Sequence, residues 1–278
     1  MTLATETSEA STSRSAQVHD YRLHYHDVGE GPVVVMLHGG GPGANGWSTF
    51  RLNVEAFAPH FRCLIVDLPG FGKSDAVVIP DDRWQFNARA VAGLLEVLGV
   101  DQPVSLVGNS AGGASALEFA LQFPQRTAKL VLMGPGGGGA SQYCPLPTEG
   151  DRLLMATFRE PNEANMRRLF EVMLYDHSLI DDALIRDRVM AAQNPEQREA
   201  RRKSARKVGE PLLDLEKIEA PTLLVWGRDD RFNPYDIGIR MLSLMPNAQL
   251  HVFSHCGHWV QQEHPEAFNR LVVDFLTH

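Results

Sequence analysis

A chain of 278 residues, 44% hydrophobic and 22% charged, has apolar material for one large α/β core or a core carrying an inserted subdomain. Its net charge of −8 argues against a nucleic-acid partner, because no basic surplus is left to neutralise phosphates; the one basic cluster, residues 198–207, includes Glu199 and reads as a solvated helical face. Cys63, Cys144 and Cys256 are widely spaced and odd in number, which is neither a disulfide framework nor a zinc spacing. With no apolar signal region and no apolar run of spanning length, a cytoplasmic protein without a membrane partner is expected.

Residues 1–17, rich in Ser and Thr, read as a disordered lead-in. Residues 21–28 alternate with period two and predict a strand, and the continuous apolar run 33–37 predicts one buried on both faces. A glycine-rich loop, His38 to Gly43, follows, then helical spacing over 47–57 and a second buried strand at 62–67. Helical spacing over 86–98, a strand at 103–108, a helix at 111–123 and a strand at 129–133 continue the alternation. That rhythm means a parallel sheet covered on both sides. It breaks at the run Gly134 to Gly139. Residues 141–211 show only helical spacing, in short segments at 153–158, 163–174, 181–192 and 196–208. The rhythm resumes with a strand at 220–226, a helix at 234–245, a strand at 249–253 and a helix at 265–276. The expected organisation is an α/β core of residues 18–140 and 212–278 with a helical cap of residues 141–211.

The segment from Gly108 to Gly112 is G-x-S-x-G placed between a strand and a helix, the setting in which such a serine is lifted above the sheet edge as a nucleophile. A serine hydroxyl needs a base, and the base an orienting acid. On this layout they follow in the order Ser, Asp, His, in loops after later strands. The loop after 220–226 offers Asp229 or Asp230, and the loop after 249–253 offers His255 or His258; residue chemistry alone leaves both pairs open. An oxyanion hole needs one N–H after the nucleophile, that of Ala111, and one from the loop at Gly39, Gly40 and Gly41, where absent side chains let backbone approach substrate.

The motifs H-G-G-G-P-G-A (38–44), G-N-S-x-G-G (108–113), W-G-R-D-D-R-F-x-P (226–234) and C-G-H-W (256–259) together resemble the meta-cleavage product hydrolases, a carbon–carbon bond hydrolase branch of the α/β-hydrolase fold, over nearly the whole chain from about residue 18. The resemblance implies a mostly parallel sheet with helices on both faces and an inserted cap. Matched position by position, it implies Asp230 and His258 as partners of Ser110, Gly40 and Ala111 as oxyanion donors, and Asn109, Trp259, Arg188 and Ser178 as substrate contacts, with Arg188 holding a carboxylate. Thr49 stands where many relatives have asparagine, and Ala111 where relatives often carry Met or Leu. The implied reaction is hydrolysis of a 2-hydroxy-6-oxohexa-2,4-dienoate to 2-hydroxypenta-2,4-dienoate and a carboxylic acid, with no metal or organic cofactor, by a homodimer or homotetramer. A carboxylesterase with the same triad and a non-catalytic ligand-binding protein are the alternatives. Met155, Phe158, Leu169, Met173 and Leu174 could line a pocket for the substrate's C6 group or form the cap's own core.

Overall fold

Eight strands and twelve helices account for the computed structural model, which describes residues 8–205 and 211–278. In chain order these are α1 (Glu9–Thr12), β1 (Ser13–Val18), β2 (Tyr21–Val28), β3 (Val33–Leu37), α2 (Gly46–Phe50), α3 (Val54–Phe57), β4 (Arg62–Val66), α4 (Arg83–Val97), β5 (Val104–Asn109), α5 (Ala111–Gln122) and β6 (Thr127–Met133). There follow α6 (Glu149–Arg159), α7 (Glu163–Met173), α8 (Asp182–Ala192) and α9 (Pro195–Lys203), then β7 (Thr222–Gly227), α10 (Asp236–Leu244), β8 (Ala248–Phe253), α11 (Val260–Glu263) and α12 (Pro265–Thr277). The strands form one sheet in the order β1-β2-β4-β3-β5-β6-β7-β8. The pairs β1–β2 and β2–β4 are antiparallel, and every pair from β4 to β8 is parallel.

The apolar run of β3 is explained by its place. It lies between β4 and β5, with Leu37 in register with both Val66 and Gly108. Alternate side chains leave opposite faces of the sheet. Val35 and Leu37 join the core packed under α4 and α5, while Val34 and Met36 join Phe50, Phe57, Phe268 and Val272 on the other face. A third cluster, built from Met166, Leu169, Phe170, Met173, Leu174 and Ile185 of the inserted helices, includes Phe232 and Trp259 from the sheet side, so the insertion is welded to the loops after β7 and β8.

Three expectations change. Residues 8–17 of the expected lead-in are ordered: β1 pairs along β2, its Ser13 hydroxyl bonds His24 Nε2 at 2.7 Å, and the Thr12 hydroxyl lies 2.9 Å from His26 Nδ1. The polar composition that suggested a loose tail serves two buried histidines, and residues 1–7 lie outside the described residues. The helix expected over 47–57 is split into α2 and α3, because Asn53 between them is buried and its amide donates to Gln261 O and Asn269 Oδ1, both at 2.9 Å. The last cap helix ends at Lys203, where Ser204 turns its hydroxyl back to Ala200 O and accepts from the Ile79 N–H; positions 206–208 of that expected helix lie outside the described residues.

Candidate active site

Ser110 sits between β5 and α5 with φ +52° and ψ −118°, a conformation that costs a non-glycine residue about 1–3 kcal/mol. The neighbouring glycines make the turn possible. A Cβ at Gly108 would lie 2.6 Å from Gly112 O, and one at Gly112 would lie 2.2 Å from Leu37 O. The Ser110 N–H donates to Met133 O at 2.9 Å, anchoring the turn to the end of β6.

The loop at Gly39–Gly41 is set by His38. The Leu68 N–H donates to His38 Nε2 at 3.0 Å, so Nδ1 carries the ring proton and donates to Gly39 O at 2.7 Å. Burial lowers the His38 pKa and keeps the ring neutral. Because a trans peptide places C=O and N–H on opposite sides, holding Gly39 O toward His38 turns the Gly40 N–H the other way. Gly40 faces the elbow: a Cβ there would meet Ala111 Cβ at 3.0 Å.

Asp230 and His258 come together from the loops after β7 and β8, with Asp230 Oδ2 accepting from His258 Nδ1 at 2.7 Å and both side chains buried. Asp230 Oδ1 accepts from the backbone N–H groups of Phe232 and Asn233 at 2.8 and 3.0 Å, which fixes the carboxylate plane. Phe232 stacks on the imidazole with centroids 5.0 Å apart, and the His258 N–H donates to Met173 O at 2.7 Å. Gly134, at φ +47°, clears the pair; a Cβ there would lie 3.0 Å from Asp230 Oδ2. The alternatives Asp229 and His255 point elsewhere: Asp229 accepts from the Cys256 N–H, and exposed His255 packs on Tyr175.

Ser110, His258, Gly39, Gly40, Gly41, Ala111, Thr49, Asn109, Arg188 and Trp259 all line one cavity of about 940 Å³ between the sheet edge and helices α6–α9. Arg188 is its electrostatic centre. The side chain is 4% exposed, its guanidinium lies 5.3 Å from the Trp259 ring centroid and 5.8 Å from that of Phe170, and Nε and Nη2 have no hydrogen-bond partner among the described residues. Burial pushes its pKa down to about 10, so the cation persists at neutral pH with no carboxylate paired to it among the described residues. Among the described residues no cluster of His, Cys, Asp and Glu could hold a metal ion, and no helix is long and apolar enough to cross a membrane.

Of the expected substrate contacts, Ser178 lies outside the cavity, while Asn109 and Thr49 line it with part of their hydrogen-bonding capacity already used. Ser178 is exposed in a short 3₁₀ turn, where Asp176 accepts from its N–H, and it does not line the cavity. Asn109 lines the cavity but spends its amide on Met133 O and His258 O at 3.3 and 3.2 Å, clamping the elbow to the histidine loop; only Oδ1 is left unpartnered. Thr49 donates its hydroxyl to Asn45 O at 2.8 Å and can offer a ligand only lone pairs. Of the apolar cap residues, Met155, Phe158, Leu169 and Met173 line the cavity, and Leu174 belongs to the cap core. Sequence reasoning missed Phe232, although it stands inside the W-G-R-D-D-R-F motif. It also missed Glu263, which carries no motif: its Oε1 accepts from the Gly257 N–H at 2.7 Å and its Oε2 from the Tyr175 N–H at 2.7 Å, tying the histidine loop to the end of α7.

The sequence model of the α/β-hydrolase family matches residues 34–271. The chain is 48% identical to the 2-hydroxy-6-oxo-6-phenylhexa-2,4-dienoate hydrolase of Burkholderia cepacia, across 98% of this chain and 99% of that protein. It is 46% identical to the 2-hydroxy-6-oxononadienedioate/2-hydroxy-6-oxononatrienedioate hydrolase of Comamonas testosteroni, over the same shares. Among solved structures, the meta-cleavage product hydrolase of Pseudomonas fluorescens IP01 superposes with a TM-score of 0.85 at 31% identity, covering 97% of this chain and 99% of that one. The chain therefore belongs to the α/β-hydrolase family and, within it, to the meta-cleavage product hydrolases.

Proposed function

We propose that the protein hydrolyses the C5–C6 bond of a 2-hydroxy-6-oxohexa-2,4-dienoate, a ring-fission product of aromatic catabolism, giving 2-hydroxypenta-2,4-dienoate and a carboxylic acid. The observation that carries this reading is Arg188: a buried guanidinium with two unpartnered nitrogens, lining the same cavity as Ser110 and His258. An unpaired buried cation is costly, and a substrate carboxylate supplies the missing charge and a bidentate acceptor. An ordinary ester has no use for it.

With C1 held by Arg188, His258 assists transfer of the 2-hydroxyl proton to C5, turning the dienol into a 2,6-dioxo-enoate. The Ser110 hydroxyl then gives its proton to His258 Nε2 and its oxygen adds to C6, while the N–H groups of Gly40 and Ala111 take the developing oxyanion. Breaking C5–C6 sends the bond's electron pair into the conjugated C2 ketone, so the leaving group is a delocalised dienolate, protonated on oxygen. Water deprotonated by His258 releases the acyl group from Ser110. Asp230 keeps the Nδ1–H tautomer of His258 and stabilises the imidazolium. Asn109 Oδ1 and the Thr49 lone pairs are the acceptors left for substrate hydroxyl groups.

The test is optical. Purified protein mixed with yellow 2-hydroxy-6-oxo-6-phenylhexa-2,4-dienoate or 2-hydroxy-6-oxonona-2,4-dienedioate bleaches the colour, and S110A slows steady turnover at least 10³-fold. Persistent colour with both, alongside rapid cleavage of aryl esters, overturns the reading in favour of an esterase. The reducing cytoplasm suits the three free cysteines. A homo-oligomer is supported by exposed Ile239 and Leu242 on α10 and Val252 on the edge strand β8, and light scattering in solution checks it.

A further inference from the structure

The cavity wall carries cations that the reaction above does not use. Arg83, at the start of α4, and Arg201, in α9, both approach one ring: their guanidinium carbons lie 6.0 and 5.1 Å from the centroid of Phe71, and that of Arg201 lies 3.8 Å from the centroid of Phe158. Arg188 lies over a different pair of rings, Phe170 and Trp259, apart from the pair at Phe71 though lining the same cavity. Arg83 makes no ion pair among the described residues, and its one hydrogen bond, to Pro69 O, is long at 3.5 Å. Burial holds its pKa below the ordinary arginine value.

The acids on this wall are already engaged. Asp82 accepts from the Trp84 and Gln85 N–H groups as the cap of α4, Asp151 is bonded to Thr148 in the cap of α6, and Glu199 is paired with Arg202 and Lys203. Six arginines, Arg83, Arg159, Arg188, Arg198, Arg201 and Arg202, line the cavity against those three acids, so an acidic chain gathers a surplus of positive charge on a wall whose apolar part, with Leu154, Met155, Phe158 and Leu169, suits a carbon skeleton. Fixed cations in a low-dielectric cleft select anionic ligands more strongly than the same groups in open water.

We infer that Arg83 and Arg201, grouped around Phe71, form a second anion subsite that takes a carboxylate on the substrate's C6 substituent, so that the preferred substrate is a dioate rather than a 6-aryl monoacid. The inference rests on the proposed C–C hydrolysis. Relatives at nearly equal identity are named for both substrate types, so identity does not choose between them.

The test compares kcat/KM for 2-hydroxy-6-oxonona-2,4-dienedioate and 2-hydroxy-6-oxo-6-phenylhexa-2,4-dienoate in the wild type, R83M, R83K and R201M. The wild type favours the dioate at least tenfold, and R83M and R201M each lower that preference about tenfold. R83K keeps part of it, with a steeper fall in rising salt because lysine is a point charge without the planar fork. The phenyl substrate measured on the same preparations controls for misfolding. A wild-type preference for the phenyl substrate, or equal losses on both substrates in both methionine variants, overturns the subsite and leaves C–C hydrolysis standing. Failure to bleach either substrate overturns the reaction, and the subsite with it.

Discussion

Arg188, the proposed anchor for the substrate carboxylate, is costly to the fold. Its folded pKa, about 10, lies below the ordinary 12.5, so the charged form is disfavoured by folding across the neutral range. R188M removes that penalty. The variant is expected to gain about 1–3 kcal/mol of stability, read as a rise in Tm, and to lose at least 100-fold in kcat/KM for the dienoate. The pH dependence has a definite sign. Below about 10 the guanidinium is charged and, on the proposed role, pairs with the substrate carboxylate; as pH rises through that value, KM for the dienoate is expected to climb while KM for a neutral ester stays flat in initial-rate assays. D230N acts at the same scale: the amide cannot hold the Nδ1–H tautomer of His258, and kcat is expected to fall about 10³- to 10⁴-fold with the far-ultraviolet spectrum unchanged.

At the scale of elements, the cap and the core meet through backbone as much as through side chains. Gly43, at φ +68°, lies under α8, where a Cβ would come within 2.4 Å of Arg188 O. G43A therefore displaces the helix that carries Arg188, and is expected to raise KM for dienoates about tenfold while altering neutral-ester turnover far less. Glu263 makes the other junction, accepting N–H groups from Gly257, Tyr175 and Asp176. Burial raises its pKa against those backbone donors, and its carboxylate holds the histidine loop against the end of α7. In E263Q one oxygen must serve donors now shared by two. The expected result is a several-fold lower kcat with near-normal KM in steady-state assays, since His258 is loosened and the substrate anchor is not.

For the molecule as a whole, the buried His24–Asp67 pair locks the antiparallel side of the sheet to the loop after β4. Burial alone would raise the Asp67 pKa, but the His24 hydrogen bond and the N–H groups of Lys73 and Gly46 outweigh it and hold the carboxyl below its ordinary 3.8. A depressed carboxyl contributes stability above its unfolded value and loses it as pH falls through the folded one. D67N is therefore expected to cost about 3 kcal/mol at pH 7, measured by urea unfolding, with the gap to wild type narrowing below pH 3.8. The Glu9–Lys73 and Arg22–Asp75 pairs nearby are exposed and contribute little beside it.

Much of this was legible in the sequence for a local reason. A strand buried on both faces must be continuously apolar, as β3 is, and a strand–serine–helix turn must have glycine at 108 and 112 because side chains there collide with backbone. Helical spacing with no strand marked the insertion after β6. Other features depend on partners distant in the chain, and no periodicity encodes them. The polar residues of β1 are ordered by histidines on the next strand, and Asn53 breaks a helix by reaching residues more than two hundred positions away. Asn109 proved to be a clamp with one free oxygen, and Ser178 a surface residue. The sequence by itself determined the strand–helix alternation, the elbow and the loops holding candidate acids and bases, because local packing and backbone sterics dictate those residue types. The family resemblance already pointed to Asp230 and His258; only the tertiary structure decided that the two lie within hydrogen-bond reach, that Arg188 is buried with no counter-charge among the described residues, and that Arg83 and Arg201 meet at Phe71, because burial and long-range approach set electrostatic consequence.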